Sequence, residues 1–169
     1  MHLIVDGYNL IRQSPRLRFL DVVDLQAGRE ALLELLAHYR RRSHHQITVV
    51  FDGWQQGDLK ESRDRYEGIL VIYSRRGERA DEVIKRLLTQ DRERALVVTS
   101  DREIQVCAEQ ARAAWINAGE FEGSHLQDPS ETADPDAEDN STPRGTRKKG
   151  PARRLSKQLR QRRQRLKKL

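Results

Sequence analysis

Apolar residues in this chain gather in short, nearly unbroken runs. HLIV at residues 2–5, ITVVF at 47–51, ILVIY at 69–73, ALVVT at 95–99 and AAWI at 113–116 are each of strand length. Between them lie stretches whose apolar residues recur at helical spacing. In residues 27–42 Leu32, Leu33, Leu35, Leu36 and Tyr39 share one side, and Arg40 to Arg42 sit near the C-terminal end, where cations suit the helix dipole. Residues 80–90 place Val83, Leu87 and Leu88 together, and residues 102–112 form a further helix. Strands without polar alternation that take turns with helices predict an α/β domain with a mostly parallel sheet covered on both faces. Right-handed crossovers then bring the C-terminal ends of the strands to one edge.

That edge collects acids. Asp6 follows the first strand, Asp52 the second, and Asp101 stands two residues beyond the strand that ends at Thr99. Asp81 lies at the start of a helix near the same rim. A single Asp after a strand is an ordinary turn or N-cap residue. Three at the edge where open α/β sheets bind ligands make a candidate site. Gathered carboxylates raise one another's pKa unless a cation joins them. Hard oxygen donors suit Mg²⁺ or Mn²⁺. With five scattered histidines and one cysteine, no zinc set is present. Such an ion serves phosphoryl chemistry by activating water and neutralising charge on a phosphodiester.

Charge divides the chain into three. Residues 1–127 are close to neutral. Residues 128–143 hold six carboxylates, three prolines and no cation, and predict a disordered acidic linker. Residues 144–169 hold 13 Lys and Arg and no acid, and predict a basic tail, disordered or helical, with a thin stripe at Leu155, Leu159, Leu166 and Leu169. Arg147, Lys148, Lys149, Arg153, Arg154, Arg160, Arg162 and Arg163 are the tail's candidate RNA contacts. Solubilisation, or folding back on the acidic linker, is the other use of such a tail. The lone Cys107 excludes an internal disulfide and reads as a structural thiol. The opening MHLIVDGYNL has no leader pattern and no run reaches membrane-span length, so a soluble cytoplasmic protein is expected, with no membrane partner.

DGYNLI at 6–11, VVFDG at 49–53, IYS at 72–74, ADEVI at 80–84, VVTSDREIQ at 97–105 and the Glu120-Phe121 pair resemble, in this order, the YacP-like NYN family, relatives of PIN nucleases. The likeness implies a PIN-like three-layer α/β/α sandwich and a metal-dependent endoribonuclease. It implies Asp6, Asp52, Asp81 and Asp101 as acidic metal ligands for Mg²⁺ or Mn²⁺. It also implies Asn9, in the GYN turn, as a residue orienting ligand, water or phosphate, with Ser100 as an assistant. RNA is the implied partner, and the ribosome with it, since a characterised member acts on translating ribosomes. The linker and tail are not required by the family's core pattern, and Trp54 after VVFDG is a further departure. Trp54 is a candidate for stacking on a base, and Arg75 and Arg76, beyond the third strand, for holding phosphates. Tyr8 is expected to pack beneath the sheet edge, and residues 58–65 (DLKESRDR) to form a solvated charged face. The competing expectation is an inactive NYN-fold module that binds RNA or ribosomes.

Overall fold

The computed structural model describes residues 1–53, 59–126 and 164. Six strands form one sheet: β1 His2–Asp6, β2 Gln46–Phe51, β3 Ser62–Tyr66, β4 Ile69–Tyr73, β5 Ala95–Val98 and β6 Ala114–Ile116. Their spatial order is β3-β4-β2-β1-β5-β6. All neighbours are parallel except the β3–β4 hairpin. β1 is central, with Val5 opposite Val49 on one side and Val98 on the other.

Side-chain alternation divides the core. Leu3, Val5, Val49, Phe51, Val71 and Val98 face a layer made by α1 Gly7–Gln13, α2 Pro15–Val23, α3 Leu25–Ser43 and α6 Ala118–His125. Ile4, Val50, Ile72 and Val97 face α4 Ala80–Asp91 and α5 Arg102–Gln110. The three-layer α/β/α sandwich with a mostly parallel sheet is therefore present. Nearly every one of these strand residues is fully buried, and each Val, Leu or Ile contributes about 1.5–3 kcal/mol of burial.

Three helices and a strand go beyond the predicted elements. The GYN segment is no turn: it opens α1, because the Asp6 side chain caps the helix by accepting from Asn9 N–H at 3.2 Å. Ser14 then caps α2 with Pro15 in its first turn, and Asn117 caps α6. Much of the charged 58–65 stretch lies in β3, an edge strand whose residues 63–66 are exposed, as charged edges are. Glu67 and Gly68, both at positive φ (45° and 81°), make the two-residue hairpin turn that follows.

Candidate active site

The carboxyl ends of β1, β2 and β5 meet where the chain reverses its direction of winding, since β1 is followed by β2 on one side and β5 lies on the other. Asp6 and Asp52 continue the face of Ile4 and Val50, towards α4 and α5. Asp81 stands in the first turn of α4, and Asp101 is the N-cap of α5. The four acids therefore border one crevice.

Hydrogen bonds fix the centre of this rim. Asp6 Oδ2 accepts from the Thr99 hydroxyl at 3.1 Å, and Thr99 Oγ1 accepts from Asp101 N–H at 3.1 Å. One hydroxyl thus links the two acids. Asp101 Oδ1 accepts from the backbone N–H groups of Glu103 at 2.7 Å and Ile104 at 3.3 Å. The capping role open to a lone Asp is occupied here by both Asp6 and Asp101. Capping engages the Oδ1 atom of each. Asn9 Oδ1 accepts from Ser100 N–H at 2.8 Å and ties the start of α1 to the β5–α5 loop. Gln105 Nε2 donates to the Thr99 carbonyl at 3.2 Å. On the β2 side, the Ser74 hydroxyl donates to the Glu78 carbonyl at 2.7 Å, accepts from Gly53 N–H at 2.9 Å and stands 3.5 Å from Asp52 Oδ1.

Electrostatics agree with the geometry. Burial pushes the Asp6 carboxyl up to about 6, and the charges of Asp81 and Asp101 add to it. Asp81 is also raised, by burial first, then by Asp101, with a smaller push from Asp52. Lys85 and Arg79 pull the other way. Among the described residues, Asp6, Asp81 and Asp101 take part in no ion pair. The Ser100 hydroxyl oxygen is buried beside them without a hydrogen-bond partner. An all-oxygen donor set centred on a buried carboxyl of raised pKa fits a hard divalent cation. Among the described residues, however, no group of three His, Cys, Asp or Glu side chains is drawn close enough to hold an ion as it stands.

The other expected residues fall apart from this centre. Arg75 and Arg76 follow β4 at the same edge and are exposed. Arg75 pairs with Glu78 at 3.4 Å. Tyr8 packs beneath the edge, its ring edge-on to Phe51 at 5.3 Å. Cys107 packs against the α4–α5 core cluster. Trp54, the 128–143 linker and Arg147, Lys148, Lys149, Arg153, Arg154, Arg160, Arg162 and Arg163 lie outside the described residues. Sequence reasoning gave no role to Thr99 and Ser74, which brace the acids. Thr99 closes an apolar run two residues before Asp101, but nothing beside Ser74 in the sequence points to Asp52, 22 residues away.

Comparison with known proteins supplies relatives. Residues 3–168 match the model of the YacP-like NYN domain, a span that includes the acidic and basic segments left out of the motif resemblance. The "Uncharacterized protein YacP" of Bacillus subtilis (strain 168) is 32% identical over 85 residues, which is 50% of this chain and 49% of that protein. The aligned part thus spans about half the length of that curated relative. The fold is similar to the crystal structure of Rae1 (YacP) from Bacillus subtilis, with a TM-score of 0.59 and 29% identity over 72% of this chain and 71% of the other. A mutant form of the same Bacillus subtilis protein gives a TM-score of 0.61 at 28% identity over 71% of each chain.

Proposed function

The chain belongs to the YacP-like NYN domain family, a PIN-like nuclease family, and from that premise we propose that it is a divalent-metal-dependent endoribonuclease hydrolysing RNA phosphodiester bonds. The observation that carries the proposal is the gathering of Asp81 and Asp101 about the buried Asp6 carboxyl, pushed up to about 6, with Asp52 near enough to act on Asp81. Acids arranged at the cost of mutual repulsion mark a site built for a cation. Asp6, Asp52, Asp81 and Asp101 would hold Mg²⁺ or Mn²⁺, which when bound supplies a water of lowered pKa and neutralises phosphodiester charge.

The chain's own residues set the stage for that chemistry. Asp6 is pinned by the Asn9 N–H and the Thr99 hydroxyl, and Asp101 by the first turn of α5. Neither has to be ordered when substrate arrives. Asn9 holds the first turn of α1 in register with the β5–α5 loop, and the unpartnered Ser100 hydroxyl offers a polar contact to water or to a phosphate oxygen. Arg75, Arg76 and Trp54 would contact RNA near the cut, and the basic 144–169 segment would anchor RNA, the ribosome included. The protein would work in the cytoplasm. Among the described residues no helix is long and apolar enough to cross a membrane.

A second reading is favoured by the absence, among the described residues, of a ready three-ligand group: an inactive NYN-fold module that binds RNA or ribosomes. Mn²⁺ titration by calorimetry separates the two, with wild type compared to Asp101→Asn. Asparagine keeps the cap acceptor, so circular dichroism should be unchanged. The nuclease reading expects binding in wild type, at least tenfold weaker binding in the variant, and Mn²⁺-dependent RNA cleavage lost with it. Equal cleavage by both proteins sinks the site assignment. Absence of both metal binding and cleavage in wild type favours the binding module.

A further inference from the structure

Across the sheet from the acids, the carboxyl ends of β2 and β4 and the first turn of α1 after β1 build a seat for one cation. Tyr8 follows Asp6 by two residues, Phe51 precedes Asp52, and Tyr73 precedes Ser74. Their rings lie together: Tyr8 is edge-on to Phe51 at 5.3 Å, and Phe51 stacks on Tyr73 at 5.7 Å. Into this group α3 sends Arg29. Its guanidinium carbon stands 5.3, 5.7 and 5.4 Å from the Tyr8, Phe51 and Tyr73 ring centres, all within cation–π range. Nε donates to the Tyr8 hydroxyl at 2.6 Å, and Nη2 donates to the same oxygen. Gly7 makes room for this arrangement, since a Cβ there would lie 2.4 Å from the Phe51 ring.

What the seat lacks is an acid. Among the described residues no carboxylate pairs with Arg29, although Asp21 lies near enough to act on Tyr8 through its charge. Nη1 makes no hydrogen bond among the described residues, and Arg29 as a whole is only half-buried. A tether that served packing alone would need only the stem and the ring contacts. Here a fork of N–H donors on a half-buried side chain is held by three rings and a hydroxyl, and two of those rings belong to residues next or next but one to the rim carboxylates Asp6 and Asp52, which repel RNA. An arginine already ordered by its surroundings gives up little freedom on meeting a planar anion.

We propose that Arg29, held by Tyr8, Phe51 and Tyr73, binds a backbone phosphate of the RNA beside the scissile one and so sets the strand's path across the rim. This deepens the ribonuclease reading and rests on it for the identity of the anion.

The test uses the full chain in Mg²⁺ with a 2′-O-methylated oligouridylate of about eight nucleotides, a typical single-strand site size. The ¹⁵N–¹H cross-peak of Arg29 Nε, assigned by its loss in Arg29→Lys, should move saturably as this RNA is added. Binding measured against salt should show a log–log slope smaller by about 0.7 in Arg29→Met, the value of one lost single-strand phosphate contact, and a wild-type slope in Arg29→Lys. A fixed Arg29 peak while other arginine peaks shift overturns the proposal. An unchanged slope in a folded Arg29→Met does the same. If that variant does not fold, the wild-type spectrum decides. Cleavage of unmodified RNA by wild type is scored separately. A fixed peak with cleavage present removes Arg29's role and leaves the nuclease reading intact, whereas a moving peak without cleavage does the reverse.

Discussion

The two ends of β1 carry opposite solutions to one problem. Each places a polar side chain on the α4–α5 face of the sheet. At the amino end His2 is bonded on both ring nitrogens, Nδ1 to the Asp91 carboxylate and Nε2 to the Thr48 hydroxyl at 2.7 Å. At the carboxyl end Asp6, 7% exposed, meets only neutral donors among the described residues, and its neighbours Asp81 and Asp101 are acids. The first end is closed chemically. At the second, Asp6 has no cationic partner among the described residues, and that difference separates a satisfied polar cluster from one able to take up a cation.

The sharpest way to break the contrast is Asp6→Asn. Cleavage should fall by about 10³-fold, or about 4 kcal/mol of transition-state stabilisation, comparable with losing a preorganised electrostatic contact. The same change should make the metal-free protein more stable at neutral pH. The Asp6 carboxyl rises from 3.8 to about 6 on folding, so the native state binds more protons between those values. Wild-type stability is therefore highest below about pH 4 with respect to this group and falls as pH rises towards 6 and beyond. The change is about 3 kcal/mol at 1.36 kcal/mol per pKa unit. Urea midpoints at pH 4 and pH 7.5 in EDTA should show this fall in wild type and a clearly smaller one in Asp6→Asn, where Asp81 keeps its own share. A variant less stable than wild type at pH 7.5 would contradict the account.

His2→Leu attacks the closed end. It strands the Thr48 hydroxyl and leaves Asp91, among the described residues, only Arg94 at 3.7 Å, and should cost about 2 kcal/mol by denaturation. Metal-dependent cleavage per folded molecule should not change, and a matching loss of activity would show that the two ends are not independent. Thr99→Val is the gentlest probe. It removes the hydroxyl that joins Asp6 to Asp101 and should weaken Mn²⁺ binding by about tenfold, with the fold intact by circular dichroism.

What the sequence revealed depended on the type of signal. Parallel strands buried on both faces read as apolar runs, so β2, β4 and β5 were legible to within a residue at each end, and with them the edge that carries the acids. Helices α1 and α2 were not. α1 has only seven residues and depends on one Asp for its cap, and α2 shows one buried side chain, Leu17, too few to make a periodic stripe. β3 escaped because an edge strand of SRDRY is selected against apolar character. Within the site, residue type and position pointed to the acids. The bonds that order them, Thr99 to Asp6 and Asn9 to Ser100, join residues far apart in the chain and have no local signature. The Arg29 seat was hidden for the same reason: its rings come from two strand ends and the first turn of α1, and its cation from α3.

Those two bonds span 93 and 91 residues. Contacts of such separation must close a long loop before they return any stabilisation, and they tend to form late. β1, β2 and β4 can associate as soon as residue 73 is available, yet the rim lacks Thr99, Ser100 and Asp101 until β5 inserts beside β1. The candidate crevice is therefore completed only when β5 joins the sheet, and a chain halted before that point has most of its sheet but not the full set of rim acids.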